Sequence, residues 1–393
     1  MLGKKDYIYA DAAAATPLSD NSRKELMRLL DVYGNAGALH SEGVKAKEEL
    51  ESARGKIAAT IGAHPDEIIF TSSGTEGNNL AIQGVLRPIL IEHGEAHAIT
   101  CAIEHQSVST PLHALEREGL YVTELPVDRE GLVSAKDLAE AINDDTVFIS
   151  IQLINPEIGT IEPLRELMKE VRRVRKERTL PLYFHTDASQ APLWFKIAVE
   201  NLGIDLMTLD GQKVLGPKGV GALYVRRGVK IEPVLWGGKQ EQGLRGGTEN
   251  IPLAGAFAVA LADAQEGVDN RVAKIENVRE ELRSEIIRLM PDALINGPDA
   301  QHRAANNLNV SVPGLDGEMA VIAMDAEGIA VSTRSACSVG DEEPSHVIKA
   351  IGVPKNLSKT AIRISLLPNA TSDDVHRIAQ TLADVAARYR NIE

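Results

Sequence analysis

Four short segments of the chain carry side chains suited to chemistry on a small molecule. Residues 71–79 are small or hydroxyl-bearing and precede an apolar helical stretch, so free backbone N–H groups and the helix dipole favour an anion there. His105 offers an imidazole, and Asp187 offers a carboxylate after an apolar run. Lys213, before a glycine-rich turn, is a candidate Schiff-base amine once burial or a nearby cation lowers its pKa. Alone, each feature also fits a structural role, as a helix cap, a core histidine or a surface lysine.

The two cysteines of the chain lie in contrasting surroundings. Cys101 lies in an apolar run and is predicted to be a core residue. Cys337 lies in a polar segment after a predicted strand, where the nearby Arg334 would favour a reactive thiolate. An inert loop cysteine is the alternative interpretation. So few cysteines exclude a disulfide scaffold, and no ligand-spaced set of side chains indicates a metal site.

In combination, the four segments match the needs of one cofactor, pyridoxal 5'-phosphate. Its phosphate needs N–H donors, its ring needs a stacking partner, and its aldehyde needs a lysine. Its pyridine nitrogen needs a carboxylate that keeps it protonated, because the protonated ring withdraws electrons from the substrate. The chain supplies all four groups one after another along its sequence. We therefore predict that it binds pyridoxal 5'-phosphate.

Apolar runs alternate with helix-period stretches between about residues 50 and 230. This alternation predicts an α/β domain with a mainly parallel sheet. Ligands of such sheets gather at the carboxyl ends of the strands, where the candidate side chains follow their runs. The predicted strands cover residues 67–70, 97–101, 121–126, 146–154, 182–186, 206–209 and 221–225, and the predicted helices include 134–141 and 164–177.

The pattern changes near residue 250, where an alanine-rich helix is predicted over 251–264 and a long amphipathic helix over 268–290. Apolar segments follow at 306–312, 319–326 and 362–366, and a last helix is predicted over 372–389. We therefore predict a large cofactor-binding domain over residues 15–260. A smaller α+β domain would consist of residues 1–14 and 261–393 and would carry Cys337.

The composition limits the partners of the protein. A formal net charge of −14 disfavours nucleic acid and anionic membranes, which repel an acidic surface. The basic run at 172–178 is interpreted as the solvated face of a helix. No stretch approaches the ~18 apolar residues that span a bilayer. The polar start lacks a signal-peptide core, so a cytoplasmic enzyme is expected.

The order of these motifs resembles the cysteine desulfurases of the NifS and IscS type, in the class V aminotransferase group. The resemblance runs over nearly the whole chain and implies the transferase fold type I of pyridoxal phosphate enzymes. The matching blocks are residues 8–11, 34–35, 39–41, 71–79, 104–105, 155–160, 185–190, 213, 216–219, 245–250, 335–338, 343–347 and 362–366.

The resemblance implies a role for each cofactor-binding residue. Lys213 would bond the cofactor's aldehyde and move the substrate's α-proton, and His105 would stack on the ring. Asp187 would pair with the pyridine nitrogen, and Gln190 would bond the phenolate oxygen. The implied phosphate contacts are Gly74, Thr75, Gln212 and, from the second subunit of a homodimer, Thr248.

The same resemblance implies L-cysteine as the substrate. Arg363 would clamp the substrate carboxylate by a bidentate pair, with assistance from Asn155. Cys337 would attack the sulfur of the bound cysteine. The products would be L-alanine and a persulfide on Cys337, for delivery to an acceptor protein of iron–sulfur cluster assembly or thiolation.

Three residues depart from the family's pattern at the cofactor. The family usually has Ser-x-His-Lys where this chain has Asp210, Gly211, Gln212 and Lys213. Gln212 can still donate through its amide. An ionised Asp210 would repel the phosphate by on the order of 4 kcal/mol at ~4 Å. Asp210 therefore points away, is protonated or is bridged by a cation or water; otherwise the cofactor binds weakly. Pro156 replaces an asparagine and brings neither a side-chain donor nor an N–H.

These departures leave two alternatives to cysteine desulfuration. The first is a pyridoxal phosphate lyase acting on selenocysteine or cysteine sulfinate, motivated by Pro156 and the altered phosphate segment. The second is a weakly active homologue that serves as a scaffold, motivated by Asp210. The presence of both Lys213 and Asp187 disfavours the scaffold.

Overall fold

The structure is a computed structural model that describes residues 7–176, 178, 180–333 and 345–390. Its strands are Ile8–Tyr9 (β1), Ile68–Thr71 (β2), Ala96–Cys101 (β3), Leu120–Leu125 (β4), Thr146–Ser150 (β5), Tyr183–Asp187 (β6), Leu206–Asp210 (β7), Gly221–Val225 (β8), Leu294–Asn296 (β9), Asn307–Ser311 (β10), Ile329–Ala330 (β11) and Ala361–Ser365 (β12). Its α-helices are Asp20–Leu29 (α1), Ser41–Ile61 (α2), Gly74–His93 (α3), Gln106–Leu115 (α4), Ala135–Ala141 (α5), Leu164–Arg175 (α6), Val199–Leu202 (α7), Ile251–Gln265 (α8), Val268–Leu289 (α9), Gly317–Ala326 (α10), His346–Ala350 (α11), Lys355–Ser358 (α12) and Ser372–Tyr389 (α13).

The largest sheet has the strand order β2-β8-β7-β6-β5-β3-β4 among the described residues. The strands from β7 to β4 run parallel, whereas β8 is antiparallel to both of its neighbours. Five parallel strands connected through helices confirm the predicted α/β class. The parallel strands therefore end at one edge of the sheet, which is where a site is expected.

Both faces of this sheet are covered. Neighbouring residues of one strand enter different clusters of buried apolar side chains, as Phe148 and Ile149 of β5 do. Leu206 and Met207 of β7 divide in the same way. Since successive strand side chains point to opposite faces, a sheet buried on both sides needs continuous apolar runs. That is why the strands are recognisable in the sequence.

A second sheet with the order β12-β10-β9 is antiparallel, and β1 pairs in parallel with β11. Both lie outside the large sheet. One apolar cluster nevertheless extends from α2 and α8 to β10, β12 and α13. The domain boundary near residue 260 stays a prediction.

Local signals explain how the helices beside the site begin. Ser73 caps α3 by accepting the Glu76 N–H, and His105 caps α4 by accepting the Ser107 N–H. Helix α13 begins with a capping box formed by Thr371 and Asp374. No helix in the described ranges is both long and apolar enough to cross a bilayer.

The main boundary error concerns β5, which was predicted to extend to residue 154 but ends at Ser150. The Leu153 N–H donates to the Asp187 carbonyl, and Ile154 pairs with Ile161 across a turn. The chain therefore leaves the sheet while staying apolar and buried. The apolar run continues through this bend, which is why it resembled one longer strand.

Candidate active site

A cavity of about 280 Å³ lies beyond the carboxyl ends of β6 and β7, beside the N-terminus of α3. Residues from distant parts of the chain line it, including Ala13, Pro156 and Ser189. The structure brings together most of the residues predicted from the sequence. Those that line the cavity are Gly74, Thr75, His105, Asp187, Gln190, Gln212, Lys213 and Arg363.

Size alone does not select this cavity. A cleft of about 740 Å³ lies along α2 and the segment around residues 239–242. Its lining includes Lys47 and Lys239, but both lysines are exposed. A Schiff-base lysine is desolvated in its pocket, which an exposed lysine is not, so the smaller cavity is the better candidate.

Lys213 ends a single 3-10 turn, Gly211–Lys213, that follows β7 directly. Its Nζ donates to the carbonyl oxygens of Ala13 and Ala14, at 2.8 and 2.6 Å. Burial lowers the pKa of Lys213, and the Arg363 cation acts in the same direction, while Asp210 is the largest opposing influence. A buried amine that loses its proton more readily is what carbonyl chemistry and α-proton transfer require.

Asp187 ends β6 with its carboxylate held by two donors. Its Oδ1 accepts the Ser189 N–H at 2.9 Å, and its Oδ2 accepts from Asn78 Nδ2 at 2.7 Å. The second hydrogen of Asn78 Nδ2 goes to Ser107 Oγ at 2.8 Å. A carboxylate oriented in this way can face a protonated ring nitrogen at the cavity.

His105 is neutral and fixed at the cavity wall. Its Nδ1 accepts the Ser107 N–H at 3.1 Å and lies 2.8 Å from Ser107 Oγ, so the neutral ring carries its proton on Nε2. Burial lowers the pKa of His105, and the Lys213 and His346 charges also lower it, against opposition from Asp187 and Asp210. An uncharged aromatic ring suits stacking on a cofactor.

Arg363 projects from β12 and is almost fully buried, with a side chain 1% exposed. One terminal nitrogen lies 2.7 Å from Asp11 Oδ1 and donates to it, and the other donates to the Pro156 carbonyl at 3.3 Å. Among the described residues, its Nε is buried without a hydrogen-bond partner. A guanidinium held at a cavity wall can bind a carboxylate.

The end of the cavity that is predicted to bind an anion is the N-terminus of α3. A Cβ at Gly74 would lie 2.9 Å from Ser189 Oγ and 3.2 Å from Asp210 Oδ2, so this close approach needs glycine. The Gly74 N–H donates to Asp210 Oδ2 at 3.1 Å. Of the possibilities left open for Asp210, pointing away is not what the structure shows, because its carboxylate faces the helix N-terminus.

Two predicted residues, Asn155 and Thr248, are described but do not line the cavity, and a third lies outside the described part of the chain. Asn155 is 1% exposed and its amide is used inside its own turn, where Nδ2 donates to the Ile103 carbonyl and Oδ1 accepts the N–H groups of Glu157 and Ile158. The predicted contact of Asn155 with the substrate stays a prediction. Thr248 is exposed and does not line the cavity. Cys337, with its neighbour Arg334, lies outside the described residues.

The sequence analysis does not single out two residues that contact the predicted site residues. Asn78 joins Asp187 to Ser107, and Ser189 approaches the predicted anion-binding end. The predicted residue Gln190 holds part of the cavity wall in place, because its Nε2 donates to the carbonyl of Ala13, which also lines the cavity, at 2.9 Å. In the sequence, such residues are recognisable only as small hydroxyl or amide residues beside the predicted ones. Only the fold shows which of them contact the predicted site residues.

The residues present fit pyridoxal phosphate. The buried amine of Lys213, the oriented carboxylate of Asp187 and the neutral imidazole of His105 suit its aldehyde, ring nitrogen and ring face. Gly74 places a backbone N–H at a helix N-terminus, which suits its phosphate, although the Asp210 carboxylate already accepts that N–H. No group of three or more side chains that could hold a metal ion occurs in the described part of the chain.

Comparisons with known proteins agree with this geometry. The chain matches the family model for class V aminotransferases over residues 8–378. A cysteine desulfurase, IscS, from Dictyoglomus turgidum is 41% identical over 393 residues, which cover 99% of this chain and 96% of that protein. A solved NifS-like protein has a TM-score of 0.90 at 32% identity over 98% of this chain and 100% of its own. A structure described as SspA in complex with cysteine has a TM-score of 0.78 at 33% identity, over 93% and 100% of the two chains. The chain therefore belongs to the class V aminotransferase family, among the cysteine desulfurases of the NifS and IscS type.

Proposed function

We propose that this protein is a pyridoxal phosphate-dependent cysteine desulfurase that converts L-cysteine into L-alanine and leaves the sulfur as a persulfide on Cys337. The observation that carries the proposal is the cavity where Lys213, Asp187 and Arg363 meet. Family membership supports it, because enzymes of this family use pyridoxal phosphate. A relative of the same fold is described in complex with cysteine.

Each charged residue of the cavity has a separate task in this reaction. Arg363 binds the substrate carboxylate, and Lys213 takes the proton from the substrate's α-carbon. When bound in the cavity, the cofactor would supply a protonated pyridine ring that withdraws electrons from the substrate. Asp187 holds the proton on the ring nitrogen, and its two donors keep the carboxylate oriented.

Sulfur transfer is assigned to Cys337. Its thiolate attacks the substrate sulfur, so one S–S bond forms and the carbon–sulfur bond of the substrate breaks. The electron pair of that bond stays with the carbon skeleton, which takes up a proton and leaves as alanine. A persulfide carries the sulfur in a form that a second thiol can accept.

The biological setting follows from the same proposal. A sulfur-acceptor protein takes the persulfide sulfur, and a second copy of the chain completes the phosphate site through Thr248. The chain lacks a membrane-spanning helix in its described ranges, and we place the enzyme in the cytoplasm. The comparisons give no support to a lyase for selenocysteine or cysteine sulfinate, or to an inactive scaffold.

A substrate comparison tests the proposal. Purified protein with added pyridoxal phosphate is given L-cysteine, L-selenocysteine or L-cysteine sulfinate, and alanine formation is measured for each. We expect L-cysteine to support turnover, and the Lys213→Ala protein to lose both turnover and the absorbance of lysine-bound cofactor. Turnover with L-cysteine sulfinate or L-selenocysteine but not with L-cysteine would refute it.

A further inference from the structure

Asp210 occupies the position where an anionic ligand of the cavity would bind. It is the last residue of β7 and is 6% exposed. Its Oδ2 accepts the Gly74 N–H at 3.1 Å and lies 3.4 Å from the Gln212 Nε2, while its Oδ1 accepts the Gln212 N–H at 3.0 Å. All three of these partners are donors, so the carboxylate acts here as an acceptor.

The Gly74 N–H is the group that a phosphate at this helix terminus would use. Gly74 is the first residue of α3, a helix of 20 residues whose N-terminal cap is Ser73. The first backbone N–H groups of a helix have no partner within it and favour a negative charge. Thr75 and Ser189 line the cavity at the same end. A bound phosphate and the Asp210 carboxylate would therefore both accept a hydrogen bond from the Gly74 N–H.

We propose that Asp210 is a resident anion that competes with the cofactor's phosphate for the N-terminus of α3 and thereby lowers the affinity of this protein for its cofactor. The inference rests on the proposed function, because it concerns the same cofactor. It concerns the phosphate alone, so it predicts an effect that depends on the phosphate group and not on the ring.

The competition has two consequences. In the cofactor-free protein, the Asp210 carboxylate accepts the Gly74 N–H and so helps to cap the N-terminus of α3. When the cofactor binds, its phosphate must take over that N–H or share the terminus with a like charge. A positive charge on Lys213 offsets part of this repulsion, since Asp210 favours the charged form of Lys213.

Cofactor-free protein titrated with two ligands tests this inference. Pyridoxal phosphate and pyridoxal differ only in the phosphate, so the ratio of their dissociation constants isolates the phosphate site. We expect Asp210→Asn to lower the dissociation constant of pyridoxal phosphate at least tenfold and to change that of pyridoxal less than twofold. Asp210→Ser replaces the carboxylate by a hydroxyl that can donate, and it should tighten phosphate binding at least as much.

Asp11→Asn is the matched control. It also removes one negative charge near the cavity, but Asp11 pairs with Arg363 and not with the helix N-terminus. Its ratio of dissociation constants should stay within twofold of the wild type. As a second readout, inorganic phosphate should raise the thermal midpoint of the cofactor-free Asp210→Asn protein more than that of the wild type.

Two results would overturn the inference, and they are distinguishable. If Asp210→Asn and Asp210→Ser, both folded by circular dichroism, bind pyridoxal phosphate no more tightly relative to pyridoxal than the wild type, Asp210 is not a competitor. If neither ligand binds to any of the proteins, the proposed function itself fails and this inference fails with it.

Discussion

Charges at the candidate site are arranged around one buried amine. Lys213 lies among the carboxylates of Asp210, Asp187 and Asp11 and the guanidinium of Arg363, all of which influence its pKa. Burial outweighs the carboxylates, so the pKa of Lys213 is lowered. The amine is thus poised to lose a proton. This balance suits a residue that must both bond a carbonyl and accept a proton.

Arg363→Lys tests the assignment of the substrate carboxylate. Lysine keeps the charge but loses the planar fork that makes two parallel bonds. Since a hydrogen bond to a charged group contributes about 1.5–3 kcal/mol, we expect kcat/KM for L-cysteine to fall about 10- to 100-fold, mainly through KM. Initial rates over a range of L-cysteine concentrations measure this. Unchanged KM with unchanged cofactor affinity would show that another group binds the carboxylate.

Much of the site could be predicted because its residues follow strands directly. Asp187 and Lys213 come at or just after the ends of β6 and β7, and a parallel sheet brings such ends together. The direction of a side chain was harder to predict. Asp210 had three open possibilities, and only the packing of α3 against β7 shows that it faces Gly74. Asn155 precedes the cavity residue Pro156 in the sequence, yet its amide forms hydrogen bonds with the backbone of its own turn and of Ile103.

At the scale of elements, the turn after β5 fixes one wall of the cavity. Asn155 bonds back to its own turn and to the Ile103 carbonyl, which holds Pro156 at the cavity. The same turn leads into Glu162, whose Oε2 accepts the Val133 N–H at 3.1 Å. The wall is thus built by buried polar groups that are bonded to backbone, and not by apolar packing alone.

Asn155→Ala should act on stability. It removes three buried hydrogen bonds and leaves backbone groups without partners, at a cost of about 1–3 kcal/mol for each buried group left unsatisfied. We expect a loss of about 2–4 kcal/mol in the free energy of unfolding. Urea denaturation measures it. A raised KM with unchanged stability would instead restore the predicted contact between Asn155 and the substrate.

Glu162→Gln should change how stability depends on pH. Burial raises the pKa of Glu162 from 4.5 to about 8 in the folded protein. The folded state therefore holds this proton more tightly than the unfolded chain, and the resulting stability is lost as the pH rises from about 4.5 through about 8.

Glutamine keeps an acceptor for the Val133 N–H and cannot ionise. The substituted protein should match the wild type near pH 4 and exceed it by several kcal/mol at pH 9, since a tenfold change in an equilibrium constant is about 1.4 kcal/mol. Urea denaturation at both pH values measures this difference. Parallel curves for the two proteins would contradict it.

At the scale of the whole molecule, an exposed apolar surface adjoins the segment that carries Thr248. Trp236 is 75% exposed and Leu235 is 49% exposed. Leu235 pairs with Arg245, three residues before Thr248. Buried Glu241 anchors the same segment, because it forms an ion pair with Arg54 at 2.7 Å. A fixed segment with an exposed tryptophan suits contact with a second copy of the chain.

We therefore expect sedimentation velocity to show a species of twice the 42.4 kDa chain. Trp236→Asp places a charge in this surface and should shift the protein toward monomer, with weaker cofactor binding. Met27→Asp, which charges another exposed apolar side chain, is the control and should remain dimeric. A wild-type monomer with full cofactor occupancy would contradict both the dimer and the role of Thr248.

The most direct test of the central claim is the alanine formed from L-cysteine, with pyridoxal phosphate and a reductant, by the wild type, Cys337→Ser and Cys101→Ala. Cys101 is buried, and burial raises its pKa, so it serves as the control cysteine. Alanine from the wild type and Cys101→Ala but not from Cys337→Ser, with all three proteins retaining bound cofactor, is the predicted result. Equal alanine from Cys337→Ser would contradict sulfur transfer through Cys337.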